Sequence, residues 1–135
     1  MKKKAYPQVY AGKKMQWSRS VVVGDMVFLS GSSGRTPDTG ELTSDKLSDQ
    51  MKVALDKVRT ALTEAGTSMD NIVKTTIYLK NIEDYDIMRQ LEREYWQKYA
   101  PRLIEEPPAS TLIQPKSLGR PNMLIDIDVI AVIPR

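Results

Sequence analysis

The chain has 135 residues, 41% hydrophobic and 27% charged, with a formal net charge of +3 at pH 7 and neither cysteine nor histidine. That composition excludes disulfides, thiol nucleophiles, zinc sites built from Cys or His, and every Ser-His-Asp or Cys-His arrangement. Acid–base chemistry is left to a carboxylate, a lysine, a tyrosine, the N-terminus or bound water.

In chain order, Lys2, Lys3, Lys4, Lys13 and Lys14 are expected in a solvated, mobile start. Residues 15–31 hold two strand-like runs. In the first, Trp17, Arg19 and Val21 alternate with Ser18, Ser20 and Val22. Gly24-Asp25 marks a turn, and Met26-Val27-Phe28-Leu29 continues into Ser30-Gly31. The polar stretch Ser32 to Thr43 reads as a loop. Leu47, Met51, Leu55, Val58, Leu62 and Ala65 recur at threes and fours and predict a helix over 45–65, with Ser44 or Asp45 as N-cap and Gly66 as its stop. Ile72 to Lys80, rich in β-branched residues, predicts a strand. A second helix is predicted over 84–99, with Tyr85, Met88, Leu91, Tyr95 and Tyr99 as a core stripe and Pro101 ending it. After Pro107-Pro108 a short strand is predicted over 110–113. The last strand, 123–133, follows a loop containing Pro115, Gly119 and Pro121. The order β-β-α-β-α-β-β predicts an α+β fold of one domain, residues 1–135, with two helices on one face of a mixed sheet of four to six strands.

No apolar run approaches the roughly 20 residues of a membrane helix, and the basic start has no apolar region behind it, so a cytoplasmic protein without membrane contact is expected. The small positive charge is spread along the chain, and nucleic acid is not an expected partner.

The most informative pattern is Asp126-Ile127-Asp128. Carboxylates at i and i+2 of a strand lie roughly 7 Å apart on one face. Between Leu124 and Ile130, such a pair in a partly buried place calls for a cation, a donor or a bound proton. The pattern alone fits a solvated face with two ordinary aspartates equally well. Ser30-Gly31 at a strand end supplies a hydroxyl and a backbone that something can approach closely, or simply a turn.

Taken in order, Gly24-Asp25-Met26-Val27-Phe28-Leu29-Ser30-Gly31, Gln50, Asn71 to Lys80, Pro108-Ala109-Ser110-Thr111 and Ile125-Asp126-Ile127-Asp128-Val129-Ile130-Ala131 resemble the Rid (reactive intermediate deaminase) or YjgF family, also called the L-PSP endoribonuclease family. The likeness covers about residues 15–133. It implies a chorismate-mutase-like homotrimer with three pockets in the clefts between subunits. It also implies hydrolysis of reactive enamines or imines to a carbonyl compound and ammonia, without cofactor or metal. The family's pocket positions fall on Trp17, Gly31, Ser110 and Asp126, the last where glutamate is usual.

Ser110 is the main departure. Family deaminases carry arginine there, whose planar guanidinium holds the substrate carboxylate in two bonds. The replacement implies an atypical substrate or a loss of deaminase activity. Arg19, on the face of Trp17 if that strand is regular, and Arg89 in the second helix are candidate substitutes for the missing cation, against the plainer reading of each as a surface arginine. The leading expectation is a small-molecule enzyme in which Asp126 positions or activates water, Gly31 and Ser110 bind ligand, and Trp17 walls the pocket. The alternatives are a non-catalytic, metabolite-binding trimer with a regulatory or chaperone-like role and, less supported without histidine, an endoribonuclease.

Overall fold

The strand Ile125–Val132 is the pivot of the fold, because its alternation buries Ile125, Ile127, Val129 and Ala131 against helices while Asp126 and Asp128 stay half-buried on the other face. The structure is a computed structural model and describes residues 2–135, so the amine of Met1 lies outside the described residues. Its elements are β1 (Lys3–Tyr10), β2 (Lys13–Val23), β3 (Met26–Leu29), β4 (Ser32–Ser33), α1 (Leu47–Glu64), β5 (Ile72–Leu79), α2 (Tyr85–Tyr99), α3 (Arg102–Glu105), β6 (Ala109–Ile113) and β7 (Ile125–Val132). One seven-stranded sheet has the order β1-β2-β3-β7-β5-β6, with β4 also paired to β7. Only β5 and β6 pair in parallel, as their α2 crossover requires.

The α+β layering agrees with the sequence expectation, with three elements added. The basic start is no loose tail: β1 pairs with β2 along its length, from Lys3 opposite Val23 to Tyr10 opposite Lys13. Its alternation buries Gln8 and Tyr10 and half-buries Tyr6 while Ala5, Pro7 and Val9 are exposed, so no apolar face marks the strand behind its leading lysines. The hairpin closes through Ala11-Gly12, both at positive φ (50° and 76°), the twist that a two-residue turn between strands needs. Pro7 is tolerated because the β1–β2 register shifts on both sides of it. Within the polar stretch, β4 pairs Ser32 with Ile127 and Ser33 with Asp126. The third addition is the short α3.

On α1 the buried face runs through Gln50, Met51, Ala54, Leu55, Val58, Ala61 and Leu62. Its start is one to two residues later than expected. Lys46 occupies the cap without a side-chain bond, while Ser44 accepts from the Lys46 amide and donates to Asp49. On α2 the buried line is Met88, Glu92 and Trp96. Leu91, Tyr95 and Tyr99 pack at its margin, and Tyr85 is exposed. The expected tyrosine stripe is therefore the flank of the buried face, turned from its centre. Among the described residues, no helix is long and apolar enough to cross a membrane.

Candidate active site

A break in the second hairpin strand builds the site. β3 ends at Leu29 and β4 begins at Ser32, so Ser30-Gly31 leaves the ladder. Ser30 is fixed by its amide on the Arg19 carbonyl (3.0 Å) and its hydroxyl on the Ser18 carbonyl (2.6 Å). Gly31 then faces Asp126. A Cβ at Gly31 would lie 2.5 Å from Asp126 Oδ1 and 2.9 Å from Oδ2, so any side chain would displace the carboxyl.

Trp17, Gly31 and Asp126 line one open hollow of about 400 Å³ with Tyr10, Arg35 and Arg120. Asp126 Oδ1 is buried and has no hydrogen-bond partner among the described residues. Burial raises the Asp126 pKa from 3.8 to about 6, with Asp128 adding to the rise and Lys57 opposing it. Asp128 is also raised by burial, offset by the Tyr78 hydroxyl, which donates to it at 3.5 Å. Asp128 lines a different hollow, with Phe28, Lys74 and Thr76. The two aspartates share a sheet face and open into separate spaces.

Behind Gly31, Lys57 reaches from α1 and donates to the Tyr10 hydroxyl at 2.9 Å. Burial lowers its pKa to about 8, although Asp126 works in the opposite direction. Tyr10 is raised by its own burial. The Arg35 guanidinium stacks 3.9 Å over the Tyr10 ring. Arg120 reaches the hollow from the loop before β7 and pairs with Glu41 at 3.1 Å.

The remaining predicted positions lie elsewhere. Arg19 lines a smaller recess on the other side of Gly31, with Gln8 and Lys57, and is paired with Glu64 at 3.1 Å. It does not share the Trp17 hollow, because the β1–β2 register slips along this stretch and regular alternation fails. Ser110 lies on the edge strand β6, where it accepts from Arg89 (2.9 Å) and Thr75 (3.1 Å). Arg89 also donates to buried Glu92 at 2.8 Å and to the Tyr85 hydroxyl at 3.2 Å. Thus a guanidinium stands beside Ser110, but neither residue lines the Asp126 hollow of the same chain.

Tyr10, Arg35, Lys57 and Arg120 were missed in the sequence. Arg35 lay in a stretch read as loop, and Lys57 falls between core positions Leu55 and Val58, as a solvated lysine would. Only the alternation Tyr6-Gln8-Tyr10 offered a signal.

The Asp126 pKa gives a pH prediction. The folded state holds this proton more tightly than the unfolded chain, whose aspartates titrate near 3.9. The resulting stabilisation is full below that value and is lost as pH rises through about 6. Asp126→Asn, neutral at every pH, should therefore exceed the unmodified protein by roughly 2–3 kcal/mol at pH 7 and match it near pH 3.5. Urea unfolding of both at each pH checks this; an equal difference at the two pH values would refute it.

The family model described as Endoribonuclease L-PSP matches residues 11–133. A RutC family protein of Pyrococcus abyssi is 30% identical over 85% of this chain and 84% of its own. A human 2-iminobutanoate/2-iminopropanoate deaminase is 31% identical over 63% of this chain and 62% of its own. The structure is similar to that of Escherichia coli TdcF with bound serine, with a TM-score of 0.82, 25% identity, and coverage of 97% of this chain and 98% of that one.

Proposed function

Because this chain belongs to the endoribonuclease L-PSP family, the Rid or YjgF family of its motifs, we propose that it hydrolyses a reactive enamine or imine to a carbonyl compound and ammonia. The observation that carries this reading is the half-buried Asp126 carboxyl, whose Oδ1 is buried and unpartnered among the described residues, facing an open hollow beside Gly31. With a pKa of about 6 it is mostly ionised at neutral pH yet still a competent base. With an enamine entering as its imine tautomer, Asp126 takes a proton from water as the water oxygen bonds to the C=N carbon. The C=N π pair moves to nitrogen, and Asp126 then gives that proton to the nitrogen. Collapse of that carbinolamine passes its hydroxyl proton to the amino group, through Asp126, as the C–N bond breaks, releasing ammonia and leaving C=O. The human relative's activity on 2-imino acids supports this class of substrate. Trp17 walls the hollow, and the Gly31 amide binds a polar atom of the ligand.

The working form in this proposal is a homotrimer, in which the Ser110–Arg89 pair of one copy closes the Asp126 hollow of the next. Two features support it: Ser110 lies on a sheet edge, and Trp17, Phe28, Val73 and Ile113 are exposed apolar side chains. The loss of charge at Ser110 favours a second reading, a trimer that binds a metabolite without turning it over.

The test couples an amino-acid oxidase to the protein and follows 2-oxo acid release from the 2-imino acids it generates, with light scattering at micromolar concentration. The expected result is accelerated release for at least one imino acid, and a mass of three chains. A stable monomer would refute the shared cleft. Saturable binding without acceleration across the series would select the second reading.

A further inference from the structure

Arg35 is a cation held in place with no ion-pair partner among the described residues. Its Nε donates to the Gly40 carbonyl at 2.5 Å, and its guanidinium lies 3.9 Å over the ring of Tyr10, itself buried. Among the described residues no carboxylate comes within ion-pair distance of it, whereas Arg120 has Glu41 and Arg19 has Glu64. Its terminal nitrogens make no hydrogen bond within the described residues and it lines the hollow that holds Asp126.

Stacking and the Nε bond fix the plane of the guanidinium before any ligand arrives. A preorganised fork loses little further freedom on binding and offers a carboxylate two parallel bonds. Asp126 lines the same open hollow of about 400 Å³, and among the described residues the acid and the cation form no ion pair. Lys57 adds positive potential behind Tyr10 and has no ion-pair partner among the described residues either.

We propose that Arg35 is the carboxylate-binding residue of this hollow, so that the ligand is a small organic anion anchored on Arg35 with its reacting carbon toward Asp126. This rests on the reading of the Asp126 hollow as the active site, and it makes the anchor independent of Ser110. It places anchor and base on one chain, with the Arg35 loop leading directly from β4.

The test is an NMR titration of the full chain with 2-oxobutanoate and, as its neutral counterpart, 2-oxobutanamide. The signals followed are Arg35 Nε–H, the Trp17 indole N–H and the Asp126 carboxyl carbon. Saturable shifts at all three are expected with 2-oxobutanoate, with affinity at least tenfold weaker for the amide. Arg35→Met, which keeps an apolar chain over Tyr10, should weaken 2-oxobutanoate tenfold or more, and Arg35→Lys should recover part of the loss. If Trp17 and Asp126 respond but Arg35→Met binds as tightly as the unmodified protein, the Arg35 assignment falls and the Asp126 site stands. If neither responds in the unmodified protein, both fall. Should Arg35→Met fold poorly, the acid–amide comparison decides: equal affinities overturn the anchor.

Discussion

Asp126→Asn is expected to slow 2-oxo acid release by about 10²–10⁴-fold, the usual range for losing a general base, while Asp128→Asn loses less than about tenfold. The two residues are separated by one position on β7 and share its half-buried face, so sequence position alone hardly distinguishes them. Their surroundings do. Asp126 faces Gly31 across a gap that admits no Cβ, keeps one oxygen without a partner among the described residues and opens into the Trp17 hollow. Asp128 has the Tyr78 hydroxyl as a donor and opens into a space lined by Phe28 and Thr76. Asn keeps the shape of Asp and cannot take a proton, so the oligomeric state should be unchanged. Since the same substitution should stabilise the chain at pH 7, a fall in rate cannot be assigned to unfolding. Equal losses in the two variants, or full activity in Asp126→Asn, would remove Asp126 from its role.

What the sequence made legible follows from periodicity. β7, β5 and α1 have apolar residues at spacings of two or of three and four, and the structure puts those residues in the core. β1 was hidden because an edge strand buries one face only, and here that face includes polar Gln8 while Ala5, Pro7 and Val9 are exposed behind two leading lysines. β4 has two serines and no pattern at all; it exists because β7 offers it unpaired backbone. The site was legible to the extent that it hangs on those strands, as Trp17, Gly31 and Asp126 do. Arg35 and Arg120 come from irregular segments whose path is fixed by distant contacts, such as the Thr43 amide on the Gly34 carbonyl. The positions of Arg19 and Trp17 depend on a register slip that no single strand's alternation encodes. Arg89 meets Ser110 because the parallel β5–β6 pairing sets Ser110 beside Thr75, under α2, a tertiary relation across 21 residues of chain.

Gln50→Leu should lower stability by about 2–4 kcal/mol, and it should also loosen the candidate site. Gln50 is fully buried in the first turn of α1, on its inner face, where an amide is costly unless it is satisfied. Its Nε2 donates to the Ser44 carbonyl (2.8 Å) and the Asn122 carbonyl (2.9 Å), and its Oε1 accepts from the Leu124 amide at 2.9 Å. Three segments are therefore pinned by one side chain: the entry to α1, the loop carrying Arg120, and the start of β7 two residues before Asp126. Leucine is close in volume, so the loss comes from backbone groups left without partners, at about 1–3 kcal/mol each where water cannot replace the bond. Gly34 lies against the same side chain, where a Cβ would sit 2.5 Å from Gln50 Cβ and Cγ, so the β4–Arg35 segment also rests on it. Urea unfolding measures the first effect. The second should be visible as a rise in KM larger than any fall in kcat, because the wall holding Arg120 and Met123 moves while Asp126 remains on its strand. Gln50→Glu is the control: it keeps the acceptor for Leu124 and the shape, but loses both donors and places a carboxylate in the core. It should therefore be at least as unstable as the leucine variant. A leucine variant within about 0.5 kcal/mol of the unmodified protein, the ordinary range for a surface substitution, would show that water replaces the amide and that the three segments are held by packing.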